Sequence, residues 1–210
     1  MIFGSTPFRA EAAPGFGVLN LDTGEVQFAE LAPGPNTSGG MISHLTRIKD
    51  GFVGSFYSTA GSTAGSTALK ENASSGLAMY RPANAEKIDF ALRPKTSGYS
   101  TEVLSLAYDA VADELWFTAP GEHLIEIWSP EKNRPISAIS STALKSDRQP
   151  NGPVSTTREV MPNGIAHDPK RDRTYVVTFE TVAVLETSTR TLLKSVAKPR
   201  DGYAAHSRLV

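Results

Sequence analysis

Apolar and polar positions along this chain change over in short runs. Residues 102–140 show the pattern most clearly: EVLSLAYD, ELWFTAP, HLIEIWSP and RPISAIS, parted by polar segments rich in Gly, Pro, Asp and Asn. Each apolar run is strand length and enriched in β-branched and aromatic residues, and each break carries turn formers. The stretch Glu102–Ser140 therefore predicts a four-stranded antiparallel meander. No segment sustains a helical period over ten or more residues; Ala143–Ser146 is expected to make one helical turn.

The meander recurs. First strands align on Leu45, Leu106 and Ile165, roughly sixty residues apart, and third strands align near Leu21, Tyr80, Trp128 and Leu185. Repetition of a sheet unit predicts an all-β fold, a β-propeller of four-stranded antiparallel blades. The period exceeds the usual ~40–50 residues per blade, and the excess falls in loops. Met1–Thr6 has the pattern of a second strand, like Phe52–Ser58 and Leu115–Ala119, and Tyr203–Val210 has that of a first strand. The expectation is a single domain over residues 1–210, with three whole blades and one composite blade closed by both termini. It would be four-bladed, or half of a larger propeller formed as a homodimer or within a longer chain.

In such a meander the connections between strands two and three, and from strand four to the next strand one, share a face. The long segments Pro7–Phe16, Pro33–Gly40, Thr59–Gly76 and Ser141–Pro162 all fall there. Short turns fall on the other face. Long loops on a rigid scaffold are where binding groups usually sit, so a small-molecule or protein partner is expected on the long-loop face.

Composition narrows the chemistry. The chain has 210 residues, no cysteine and a net charge of −1. Disulfides, thiolate metal sites and cysteine nucleophiles are excluded. Near-neutral charge favours neither nucleic acid nor an anionic membrane as partner. No basic-then-apolar leader opens the sequence, and no apolar run reaches the ~18 residues of a membrane span. A soluble protein of the cytoplasm or periplasm is expected. Serine-hydrolase, phosphate-loop, zincin and dinucleotide motifs are lacking.

Three segments carry resemblances. Thr174–Val196 (TYVVTFETVAVLETSTRTLLKSV) resembles the YVTN-type propeller repeat, with Glu186 in place of the usual Asp. Glu114–Ser129 (ELWFTAPGEHLIEIWS) resembles blades of NHL and streptogramin-lyase-like propellers. Met161–Asp168 (MPNGIAHD) is similar to the P-N-G strand of SMP-30/gluconolactonase propellers. The last resemblance implies a divalent cation such as calcium, held by Asn163 and by Asp201 one blade later. Glu102 is the nearest match to the family's carboxylate ligand, two residues out of phase. A lactonase or hydrolase would then use the cation to polarise a carbonyl and activate water, with Glu102 or Glu122 as base. Read from the residues alone, Asn163 and Asp201 each precede glycine, where turns favour Asn and Asp.

Other candidate binding residues are His44 on a predicted inner strand, Glu122 and His123 beside a loop of the long-loop face, and Arg148 in DRQPNGP. His167 aligns with Tyr108 and reads as a packing or strand-end position. Trp116 and Trp128 read as blade-to-blade packing. The function these features favour is a non-catalytic propeller scaffold binding a ligand or protein; the alternative is the metal-dependent lactonase.

Overall fold

The computed structural model describes residues 2–4, 15–30, 41–58, 74–81, 88–92, 103–122, 124–144, 161–179 and 181–198. These form fifteen strands and two short 3-10 turns, with no α-helix among the described residues. The chain divides into two compact units, Met1–Val103 and Leu104–Val210.

The first unit holds β1 (Ile2–Gly4), β2 (Gly15–Leu19) and β3 (Val26–Glu30) in one sheet. A second sheet holds β4 (Met41–Ile48), β5 (Gly51–Ser58), β6 (Ser74–Tyr80) and β7 (Ile88–Leu92). Both are antiparallel meanders in sequence order, and β1 lies against β4. The middle strands of the second sheet are buried on successive residues rather than alternate ones. Val53, Gly54, Ser55 and Phe56 on β5 and Leu77, Ala78 and Met79 on β6 are all buried. Consecutive side chains of a strand point to opposite faces, so both faces of this sheet are covered.

The second unit repeats the arrangement. One sheet runs β8 (Ser105–Asp109), β9 (Glu114–Ala119), β10 (Leu124–Ser129) and β11 (Arg134–Ser140). The other runs β12 (Pro162–Asp168), β13 (Arg173–Thr178), β14 (Thr181–Glu186) and β15 (Thr191–Ala197). The four strands predicted within Glu102–Ser140 are β8–β11. A 3-10 turn spans Ser141–Leu144 and overlaps the helical turn expected at Ala143–Ser146, whose last two residues lie outside those described. The first strand of the last sheet, β12, lies against β8 and β9. A shared core joins the two sheets: Ala107, Trp116, Ile125, Ile127 and Leu144 meet Ile165, Val176, Ala183 and Leu185. Trp116 is fully buried and Trp128 nearly so, as packing residues. The Ile165 N–H donates to Ser105 Oγ at 3.2 Å, and Ser195 Oγ donates to the Leu144 carbonyl at 2.7 Å, so polar bonds cross between the sheets too.

The hairpin turns of this unit follow one rule. Residues 110–113, 130–133, 169–172 and 187–190 each close a pair of strands, and the last residue of each turn has positive φ: Asp113, Asn133, Asp172 and Arg190. Asp and Asn tolerate the left-handed region better than most residues. The residue before three of the turns accepts from a turn N–H. Asp109 Oδ1 takes Val111 at 2.9 Å, Ser129 Oγ takes Lys132 at 3.2 Å and Asp168 Oδ1 takes Lys170 at 3.1 Å. These are side-chain mimics of a backbone turn.

The composite blade expected from Tyr203–Val210 pairing with Met1–Thr6 involves residues outside those described. Among the described residues β1 is an edge strand, paired with β2 alone. No helix among them is long and apolar enough to cross a membrane.

Candidate functional site

Of the seven residues singled out as ligand or metal groups, Glu102, His123, Arg148 and Asp201 lie outside the described residues. The other three are placed as follows. His44 is on β4, where the register with β5 slips between Ser43 and Thr46. It has φ 49° and is exposed. The expected strand position is a strand bulge, where one extra residue is left out of the ladder. Glu122 ends the 3-10 turn Pro120–Glu122 and is half-buried.

Asn163 sits in β12 at a second irregularity. Pro162 pairs with Thr178 and Gly164 with Val177, so Asn163 has no partner residue across the ladder. It is half-buried. The Asn-Gly pair was open to reading as a turn; here it makes a bulge inside a strand, and bulges re-aim side chains. Among the described residues no group of three His, Asp or Glu side chains is placed to hold a metal.

The densest polar arrangement lies instead at the turn end of β8, β9, β12 and β13. Arg190, at the end of the β14–β15 turn, donates to Glu114 Oε1 at 2.7 Å. Glu114 Oε2 accepts from Trp116 Nε1 at 3.3 Å. The Trp116 ring meets His167 of β12 edge to face, with centroids 5.3 Å apart and planes at 89°. His167 Nδ1 is 2.8 Å from Thr174 Oγ1, which is 2.8 Å from the Thr187 hydroxyl. Burial disfavours the imidazolium and, despite the nearby Asp109 carboxylate, pushes the His167 pKa down to about 4. Asp172 binds the next turn, accepting from the Ser188 N–H at 3.0 Å and its hydroxyl at 2.6 Å. The Ser188 hydroxyl, first among several contacts, holds the Asp172 carboxyl below the usual carboxylate range; the Arg171 guanidinium does the same for Asp168.

Beside this network an open groove of about 480 Å³ is lined by Asp113, Glu114, Glu131, Lys132, Arg134 and Ile136, among others. Two of its carboxylates are already engaged, Asp113 by the Tyr108 hydroxyl at 2.6 Å and Glu114 by Arg190. The arrangement therefore braces turns and joins sheets, and its one hydroxyl–imidazole contact, Thr174 with His167, has the hydroxyl residue fully buried. Sequence reading missed it because the partners come from distant strands. The one local signal was the repeated acidic or amide residue at both ends of the short turns.

No family model matches the chain, and no curated protein matches it. Solved structures do. A candidate 6-phosphogluconolactonase from Bacteroides uniformis superposes with a TM-score of 0.56 at 10% identity, covering 95% of this chain and 54% of that one. Apo AztD from Citrobacter koseri gives 0.51 at 13% identity, covering 89% and 42%. The chain thus spans about half the length of the structures it matches. At these identities the likeness concerns the fold alone: an all-β, propeller-like architecture of stacked antiparallel sheets.

Proposed function

We propose that this chain is a non-catalytic, propeller-like scaffold that binds a small molecule or a protein at the long-connection ends of its sheets. The observation that carries this reading is the contrast between the two ends of each sheet. In the second unit, one end is closed by short turns whose polar side chains are spent on holding those turns. The opposite end includes the start of β12, and in the sequence residues 59–73 part β5 from β6 and residues 145–160 part the Ser141–Leu144 turn from β12. There the bulge at Asn163 turns a half-buried amide out of its ladder. Scaffolds that fix one end and elaborate the other usually bind at the elaborated end. Near-neutral charge fits neither nucleic acid nor an anionic membrane as that partner.

The same bulge supports the second reading, a lactonase of the gluconolactonase type. Asn163 would then supply one oxygen to a divalent cation such as calcium, with Asp201 and Glu102 supplying carboxylates. Both readings use one fold, and function lives in the site. Thermal melting after chelation, with calcium, magnesium, manganese or zinc returned at millimolar levels, separates them. An ion at 100-fold its Kd adds about 2.7 kcal/mol to stability. The scaffold reading expects no rise in Tm and no hydrolysis of sugar lactones. A rise lost in Asp201→Asn and weakened in Asn163→Ala, with lactone turnover, would transfer the function to the enzyme.

The finer architecture proposed is three whole blades and a composite fourth. Among the described residues the sheet β1–β3 has three strands where the other three sheets have four. Tyr203–Val210, outside the described residues, has the sequence pattern of a first strand. Deleting residues 203–210 should then lower Tm sharply or cause aggregation, since a sheet edge is exposed; an unchanged Tm would reject closure within one chain.

A further inference from the structure

His167 has surroundings that turn-making does not explain. Its ring leaves the sheet β12–β15 and packs on Trp116 of the sheet β8–β11. One ring nitrogen, Nδ1, has Thr174 Oγ1 at 2.8 Å. The other, Nε2, is buried and has no hydrogen-bond partner among the described residues. A neutral imidazole needs only one donor and one acceptor relation, and it can leave a nitrogen against a ring at modest cost. An imidazolium carries an N–H on both nitrogens and requires an acceptor for each.

No charged group among the described residues is hydrogen-bonded to Nε2. Asp109 of β8 attracts the proton, and its Oδ1 accepts from the Val111 and Ala112 amides. Glu114 of β9 is held by Arg190 and Trp116. From the sheet β12–β15 itself, Arg173 lies 3.8 Å from Glu186, Asp168 is paired with Arg171, and Arg190 brings positive charge to the same end. The site is built for the uncharged ring.

We propose that His167 is an acid-sensitive latch between the two sheets of the second unit. Uncharged, it packs on Trp116 and keeps β12 against β8 and β9. Protonated, it is expelled from that contact and the sheets part, with one proton taken up per chain. The sign follows from the geometry. The closed state favours the neutral ring, with a pKa of about 4 against the ordinary 6.5. The latch is fully closed above the ordinary value, weakens as pH falls between the two, and weakens no further below the lower one. Two and a half pH units correspond to a shift of at most about 300-fold in the opening equilibrium.

The chain has two tryptophans, so Trp128→Phe leaves Trp116 as the reporter. Its emission and the amide exchange of β12 are followed from pH 7.5 to 4. The expected result is a red shift of Trp116 with a midpoint between pH 4 and 6.5. Exchange of the β12 amides should quicken over the same range, while β5 and β6 keep theirs. His167→Gln, which can still meet Thr174 but does not titrate, should remove the transition. If that variant does not fold, His167→Tyr places at this register the residue that Tyr108 supplies in β8. Stability of the unsubstituted chain in urea should fall more steeply between pH 6.5 and 4 than that of the His167 variant. An emission transition that persists in the non-titrating variant overturns the proposal. So does a urea stability unchanged between pH 7 and 4.5.

Discussion

The sheets β4–β7 and β12–β15 share one strand order and close their first hairpins by different means. In β4–β5 the turn is Lys49–Asp50 alone, and the chain re-enters the sheet at Gly51. A Cβ on Gly51 would run into the carbonyl oxygen of Tyr80, the last residue of β6. The Arg81 Nε then donates to Asp50 Oδ2 at 2.7 Å across the same corner. In β12–β13 the turn takes residues 169–172 and needs no such close approach. It is held by Asp168, which accepts from the Lys170 N–H, and by Asp172, with φ 54°, which accepts from Ser188 of the neighbouring turn. One turn depends on the space left by a missing side chain; the other depends on several modest hydrogen bonds. The first is brittle to a single methyl group, and the second loses stability in instalments.

That contrast can be broken most forcefully at Gly51. Gly51→Ala must push backbone against backbone, so a loss on the order of 2–4 kcal/mol is expected in urea denaturation. A loss below about 0.5 kcal/mol would mean that the tight turn is as tolerant as the wide ones.

A smaller effect sharpens the other side. Arg190 is a long side chain at positive φ, an unfavourable backbone state that its ion pair with Glu114 accompanies. Arg190→Gly relieves the backbone and removes the pair. A double-mutant cycle with Glu114→Gln should give a coupling of about 1 kcal/mol, because both groups are only partly exposed and Glu114 also holds Trp116. Simple additivity would show that the turn network is ornament to the apolar core.

The smallest effect is in acid. The Asp172 carboxyl is held below the usual carboxylate range by Ser188. Its contribution is therefore present above that range and lost as pH falls through the lowered value. Asp172→Asn keeps an oxygen acceptor but does not titrate. The variant should melt a few degrees at most below the unsubstituted chain at pH 7, with the gap closing well below pH 4. A gap that is constant with pH would assign the Asp172 contribution to shape rather than charge.

Strands and turns were legible because their causes are local. ELWFTA and TYVVT declare themselves by composition, and the Asp-to-Asp spacing of residues 109–113 and 168–172 marks a turn before any partner is known. The candidate site was legible only in part. His44 and Asn163 fall at bulges, which depend on the register between two strands and leave little trace in either strand alone. His167 shares its register with Tyr108, but its contact with Trp116 depends on which sheet packs beside which.

By itself the sequence determined that the described residues are all-β and that β4–β7, β8–β11 and β12–β15 are meanders of four. Those properties follow from backbone preference and from the period of apolar residues, which act over a few residues. Tertiary structure alone decided that β12 lies on β8 and β9, that Arg190 reaches Glu114, and that a half-buried imidazole meets an indole edge to face. These contacts join residues some fifty to eighty positions apart. Their energies come from burial and pairing that no short stretch of sequence contains.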